Sequence, residues 1–235
     1  MSRTNHLGQP IGAVLENWVA AELPPRQLIQ GITCRLEPLD RQNHAKDLFA
    51  AFSADRENRI WIYMAVGPFA SFAGFDQWIE TASKSTDPLF FAIIDEKTDR
   101  AVGYASFLRI DPANGVIEVG NITFSPELQK TDAATEAIYV MMKQVFSEWG
   151  YRRYEWKCDH LNEPSKAAAR RYGFAFEGIF RQAVIYKNRN RDTAWFSITD
   201  GEWPKIEVAF VAWLSPDNRD GAGRQIRRLG DLMPS

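Results

Sequence analysis

The sequence predicts an open mixed α/β sheet covered by helices, and three observations carry that prediction. Runs that alternate with a two-residue period and runs with helical spacing follow one another in the order β-α-α-β-β-β-α-β-α-β-β. The three middle strands are joined by short polar connections at 95–99 and 111–115, the pattern of an antiparallel meander. One strand–helix–strand unit around 133–149 then forces a parallel pair, because a crossover helix returns the chain in its original direction. The 235 residues suit one such domain with terminal arms.

Taken in order, residues 1–30 read as an N-terminal arm laid over the body, with an apolar stretch at 11–15, Trp18 and Val19, then Pro24 and Pro25. A first strand is expected over 31–39, where Ile32, Cys34 and Leu36 alternate with Thr33, Arg35 and Glu37. Ala45, Leu48, Phe49 and Phe52 recur at helical spacing, as do Phe75, Trp78, Ile79 and Ala82. Between these helices lies an aromatic linker, 60–69, with a turn signal at Gly67-Pro68. Strands follow at 89–95, 101–109 and 116–124. The stripe Ala134, Ala137, Ile138, Met141, Val145 and Trp149 marks a long helix closed by Gly150. Residues 151–158 read as a strand, 164–172 as a short helix stopped by Gly173, and 174–185 as another strand. A hairpin turn at 187–191 leads to a return strand at 192–198. The segment 206–214 suits either helix or strand, and 204–235 is expected to form a C-terminal extension packed on the domain.

Composition narrows the function classes. Twenty-eight basic against thirty acidic side chains leave a net charge of −2, without the basic excess of a nucleic-acid binder. Cys34 and Cys158 are too few for a disulfide framework, and two buried thiols are favoured over a bridge between them. His6, His44 and His160 are scattered; His160 follows Cys158 and Asp159, but strand neighbours point to opposite faces and chelate poorly, so no metal is expected. The chain starts with a polar stretch and contains no run of ~18 apolar residues, which predicts a soluble cytoplasmic protein with no membrane contact. Gly-rich dinucleotide, Walker and Gly-x-Ser-x-Gly motifs are absent. The 8 Trp, 7 Tyr and 15 Phe either fill a large core or line a pocket in part.

The chemistry-bearing segment is 117–137, where a strand runs through a turn into a helix that opens with small residues. Such an opening leaves backbone N–H groups accessible at the positive end of the helix dipole, a seat for a pyrophosphate. An ordinary junction capped by Asp132 or Thr131 is the plainer alternative. Beyond the next strand come Asn162-Glu-Pro-Ser165 and Tyr172-Gly173-Phe174. With Glu118-Val-Gly120, Gln129-x-x-x-x-Ala134 and Arg191-Asp192, these pieces resemble the GNAT acetyltransferase superfamily, in particular its RimJ/RimL-like N-acetyltransferases. The resemblance runs over about 32–203 and is sharpest over 118–195.

That resemblance implies a GNAT-like acyl-CoA N-acyltransferase fold over 31–203 with splayed central parallel strands. It implies acetyl-CoA as co-substrate, without a metal. The pantetheine arm would pair with the backbone of Ile122, Thr123 and Phe124, where a main-chain N–H also polarises the thioester carbonyl. Gln129, Lys130, Thr131, Asp132, Ala133, Ala134 and Thr135 would wrap the pyrophosphate. Asn162 would bond the pantetheine amides, and Ser165 would lie near the sulfur. Glu118 is the leading base for the attacking amine, with Asp159 and Glu155 as alternatives. Trp61, Tyr63, Phe69, Arg181, Tyr186 and Trp195 would select the acceptor, a small-molecule amine or a protein N-terminus. Lys187, Arg189 and Arg191 form a basic cluster beside them. Two positions depart from the family pattern: Asp132 replaces a loop glycine, and Ala169 stands where many relatives carry the tyrosine that protonates the departing thiolate. Here Ser165, Tyr172 or water would give that proton, or the step needs no dedicated acid. The departures motivate an alternative, a non-catalytic acyl-CoA-binding or protein-interaction module of the same fold. Monomer and homodimer both stay open.

Overall fold

The computed structural model describes residues 3–234. Strands β1 (Arg3–Thr4) and β2 (Pro10–Ile11) pair in an exposed hairpin. The main sheet then takes β3 (Ile29–Gln30), β4 (Cys34–Pro38), β5 (Leu89–Asp95), β6 (Arg100–Asp111), β7 (Val116–Phe124), β8 (Arg153–Asp159), β9 (Ala175–Tyr186) and β10 (Arg189–Thr199). Its spatial order is β3-β4-β5-β6-β7-β8-β10-β9, and among the described residues only the β7–β8 pair is parallel. The helices are α1 (Arg41–Ser53), α2 (Phe72–Lys84), α3 (Asp132–Lys143), α4 (Glu163–Arg171), α5 (Trp203–Leu214) and α6 (Leu229–Leu232). The mixed α/β sheet read from the sequence is the observed fold.

The first four helices each start where a short polar side chain takes up an orphan N–H. Asp40, Ser71, Thr131 and Asn162 accept from Asn43, Gly74, Ala134 and Ser165, respectively. The two faces of the sheet carry separate cores. On one, alternate residues of β7, β8 and β10, such as Val119, Tyr154, Trp156 and Phe196, pack under α3 and α5. On the other, α1 and α2 press Leu48, Phe52, Phe75 and Ile79 onto Ala92, Ile94 and Tyr104. The opposite faces of β7 and β8 near their centre are charged, which matters for the site. Cys34 and Cys158 are both buried free thiols.

Two local readings need correction, and one left open is decided. The strand expected over 31–39 starts only at Cys34, and Ile32 is 79% exposed. The cause lies far along the chain: the Glu136 carboxylate accepts the N–H groups of Ile32, Thr33 and Cys34 at 2.8, 2.6 and 3.2 Å, holding the chain in a turn. The late hairpin turns on Lys187 and Asn188 alone, both left-handed at φ +48° and +57°, so Arg189 and Arg191 belong to β10. The ambiguous 206–214 is helical, and Trp203, Ile206, Ala209, Phe210 and Trp213 of α5 lie in the larger core. At the other terminus, the arm is fastened by Trp18, whose indole N–H bonds Ala113 O at 3.0 Å. Its ring fills the space beside Gly115, where a Cβ would come within 2.3 Å of it.

Phe210→Ala should therefore cost about 3–5 kcal/mol in a single cooperative denaturant transition. A loss below about 1 kcal/mol would mean that α5 is an appendage.

Candidate active site

The site begins where the parallel ladder ends. β7 and β8 pair at Val116–Arg153, Ile117–Tyr154, Glu118–Glu155 and Val119–Trp156, and no further. Both strands continue, β7 to Phe124 and β8 to Asp159, so a wedge opens between them. The other edge of β7 explains the divergence. Ser106 pairs with Gly120 and Tyr104 with Thr123, so Asn121 and Ile122 together oppose Ala105 in a bulge. Bulges bend and twist the strand that carries them. Asn121 takes the left-handed conformation at φ +50°, which asparagine tolerates better than most residues. Its Nδ2 donates to Ser106 Oγ at 2.9 Å, and Ser106 Oγ donates to Gly120 O at 3.1 Å. Past Val119 the β8-facing edge of β7, including Ile122, Thr123 and Phe124, has no strand partner among the described residues.

The turn after β7 is rigid. Ser125 N–H bonds Val102 O, the buried Leu128 anchors the loop, and Gln129 Nε2 donates to Phe124 O at 2.9 Å. Lys130 is left-handed at φ +63°. Thr131, rather than Asp132, caps α3: its Oγ accepts the Ala134 N–H at 3.1 Å and donates to Leu128 O at 2.7 Å. Among the described residues, the N–H groups of Lys130, Asp132 and Ala133 have no acceptor. The loop is thus a set of free donors at the positive end of α3. The Asp132 carboxylate is paired with Arg219 of the C-terminal segment at 2.6 Å.

On the α4 side, Asn162 spends its oxygen on Ser165 N–H at 3.1 Å, while its Nδ2 has no partner among the described residues. Ser165 Oγ accepts the Trp156 indole N–H at 3.0 Å. Ala169 is fully buried in the larger core. Tyr172 stacks on Phe210, and burial raises its phenol above the ordinary range.

The opposite face of the wedge is electrostatic. Glu118 is held by Arg109 at 2.5 Å and by Lys157 at 2.9 Å, and Lys157 also reaches Glu155 at 2.6 Å. Arg153 extends the chain from Glu155 at 2.7 Å to Glu177, which also accepts from Ser197. The hydrogen bonds from Arg153 bring the Glu177 carboxyl down to about 2, against the opposing effect of burial. The side chain of Lys157 is only 5% exposed, and its ammonium lies 3.7 Å from the centroid of the Trp195 ring, which stacks on Phe180. Asp159, at the open end, touches no cation among the described residues: it accepts Leu161 N–H at 2.9 Å and the Tyr186 hydroxyl at 2.8 Å. Burial first, then the bond to Asp159, pushes the Tyr186 phenol up to about 12, so it stays a proton donor.

The expected acceptor residues divide. Tyr63 donates to Leu161 O at 3.1 Å, Lys187 to Trp61 O at 2.8 Å and Arg189 to Ile62 O at 2.9 Å. Linker, β8–α4 turn and hairpin therefore meet over the ends of β7 and β8, with Tyr63 and Tyr186 there and Trp195 above Lys157. Trp61 is placed elsewhere: it is 4% exposed and packs edge-on against Phe52 and Phe69 in the smaller core. Gly67 closes directly over its ring, leaving no room for a side chain. Phe69 packs against Trp61, Phe75 and Trp78 rather than facing the wedge. Arg181 is exposed on the outermost strand. Sequence reasoning missed Arg109, Lys157 and Arg219. A lysine between Trp156 and Cys158 in an apolar strand was the one available signal.

Lys157→Met removes the cation between two buried carboxylates and should cost about 3–5 kcal/mol at pH 7. The deficit should shrink in Lys157→Met/Glu118→Gln, where one of the two carboxylates that Lys157 bridges is neutral. Chemical denaturation of both variants checks this, and a double variant no more stable than Lys157→Met would contradict it.

The comparisons with known proteins agree with this geometry. The acetyltransferase (GNAT) domain family matches residues 34–175. The chain is 28% identical over 160 residues to the N-acetyltransferase p20 of Bacillus licheniformis, spanning 67% of this chain and 88% of that protein. A GCN5-related N-acetyltransferase from Brucella melitensis superposes with a TM-score of 0.90 at 48% identity, over 93% of this chain and 99% of the other. A probable GNAT-family acetyltransferase from Chromobacterium violaceum gives 0.77 at 39% identity, over 83% and 98%.

Proposed function

The chain belongs to the GNAT acetyltransferase family and is an N-acetyltransferase, and on that premise we propose that it moves the acetyl group of acetyl-CoA onto a primary amine at the open end of the β7–β8 wedge. The observation that carries this reading is the parallel ladder that stops at Val119 and Trp156 beside a bulge. The open β8-facing edge of Gly120 to Phe124 suits an extended amide-bearing arm, and the free N–H groups of Lys130, Asp132 and Ala133 suit its phosphates. Asn162, with a spare Nδ2, is the proposed partner of the arm's amides. A neighbour of the same fold, the microcin C7 self-immunity acetyltransferase, was solved in complex with acetyl-CoA and AMP, which supports the choice of co-substrate.

Acetyl-CoA supplies an acetyl group already activated as a thioester; the chain must place it, deprotonate the amine and receive the thiolate. A primary amine of pKa ~10 arrives protonated and needs a base. Arg109 and Lys157 both meet Glu118 at Oε2 and hold its charge between two cations, whereas among the described residues Asp159, at the end of the wedge, is held only by neutral donors. Asp159 is therefore the proposed base, oriented by Tyr186. Ser165 is the proposed donor to the departing thiolate: its oxygen accepts from Trp156, which leaves its own hydrogen to give. Asp132, the main motive for a non-catalytic reading, is neutralised by Arg219.

The order of motifs supports a RimJ/RimL-like enzyme acting on a protein N-terminus. So does the same fold in the Salmonella typhimurium acetyltransferase described as modifying the N-terminal serine of ribosomal protein L7/L12. Among the described residues no helix is long and apolar enough to cross a membrane. Two free buried thiols suit the cytoplasm.

In a thiol-release assay over a panel of amines and N-terminal peptides, Asp159→Asn should lower kcat by about 100-fold or more. Its Kd for acetyl-CoA should stay within about twofold, because Asp159 lies outside the phosphate and pantetheine contacts. Wild-type turnover in the variant would reject Asp159 as base. Absence of calorimetric binding at millimolar acetyl-CoA would reject the reading as a whole.

A further inference from the structure

Nothing in the family pattern calls for a carboxylate in the loop that seats an anion, yet Asp132 opens α3 between two free N–H groups. An acid there favours the helix dipole but opposes any phosphate bound to the same N–H groups. The structure supplies its counter-charge from 87 residues away: Arg219 Nη2 lies 2.6 Å from Asp132 Oδ2.

That arginine is not a loose surface chain. The preceding residue, Asn218, is buried, and its Nδ2 donates to Trp213 O and Arg227 O, both at 3.1 Å. Its Oδ1 accepts Arg227 N–H at 2.8 Å, and Leu229 is buried just beyond. The turn that carries Arg219 is thereby tied to α5. The guanidinium rests 5.3 Å from the centroid of the Trp213 ring. A second one, from Arg171 of α4, lies 5.4 Å from the same ring and donates to Thr135 Oγ at 3.2 Å. Trp213 is 3% exposed, and its indole N–H has no partner among the described residues. Two arginines and an unspent buried donor thus gather on one indole beside the first turn of α3, against one carboxylate.

We propose that the C-terminal segment is part of the cofactor site: Arg219 neutralises Asp132, and so leaves the free N–H groups at the start of α3, with Arg171 beside them, as a seat for the phosphates of the co-substrate. This rests on the acetyl-CoA reading above and extends it to a segment beyond the matched family domain, which ends at residue 175. Arg219 acts here through Asp132, as a positioning residue. A CoA-binding loop carrying an acid is workable in this chain because the segment after α5 folds back onto it.

Calorimetric titration of CoA into the full chain tests the proposal through a double-mutant cycle, with thermal melting of each variant as the folding check. Arg219→Gln should raise the Kd for CoA about 10-fold or more, while Asp132→Asn binds at least as tightly as the wild type. The double variant Asp132→Asn/Arg219→Gln should recover most of the loss, since the charge that Arg219 offsets is gone. Arg219→Lys, which keeps the positive charge, should stay within about threefold of the wild type. CoA binding unchanged in Arg219→Gln, or a double variant no better than Arg219→Gln, would overturn the proposal. If the wild-type chain binds no CoA at all, the functional reading beneath it falls instead, so the two failures are distinct.

Discussion

The parallel ladder between β7 and β8 lasts only from Val116 to Val119, and the remaining features of the site follow from its early end. A regular strand would continue pairing, because unpaired backbone groups inside a sheet are costly. The bulge at Asn121 and Ile122 makes continuation impossible by turning β7 away while its other edge stays bonded to β6. The hydrogen bonds from Asn121 to Ser106 and from Ser106 to Gly120 hold the left-handed residue in place. The resulting wedge exposes main-chain donors and acceptors at the centre of a stable sheet, where the scaffold fixes their positions.

Two charge systems flank the wedge and do different work. At the split, Glu118, Lys157 and Glu155 form a buried cluster on β7 and β8, flanked by the exposed Arg109 of β6 and by Arg153, with the Lys157 ammonium against Trp195. Buried pairs contribute little net stability, but each member is costly to remove, so the network fixes how the strands meet just before they part. This also accounts for a Glu-x-Gly segment whose glutamate is occupied structurally, with the uncommitted carboxylate, Asp159, further along at the open end. On the loop side, the charge problem is local and of opposite sign: the Asp132 carboxylate sits among free N–H groups at the start of α3, and Arg219 pairs with it.

The sheet and its helices were legible because their signals are local. Alternation along 89–124, the stripe from Ala134 to Trp149 and the glycine stops at Gly150 and Gly173 all act within a few residues. The site was legible to the extent that it is built from a strand end, a helix start and Asn162-Glu-Pro-Ser165, each again a short segment. What stayed hidden was long-range. Glu136 reshapes residues 32–34 from about a hundred positions away, and Arg219 reaches Asp132 from a segment with no motif of its own. Trp61 has the composition of a pocket residue, but Gly67 folds over it and commits it to the core. Side-chain identity alone does not separate those two fates, since an aromatic ring gains burial energy in either place.

Amide hydrogen exchange on the full chain, with and without acetyl-CoA, reads the wedge directly. Protection should rise in peptides covering 120–124 and 129–135 and stay unchanged over 116–119, whose amides are already committed to the ladder. Protection that leaves 120–124 unaffected, or that falls mainly outside these two segments, would contradict the assignment of the open strands and the α3 loop as the place where the co-substrate binds.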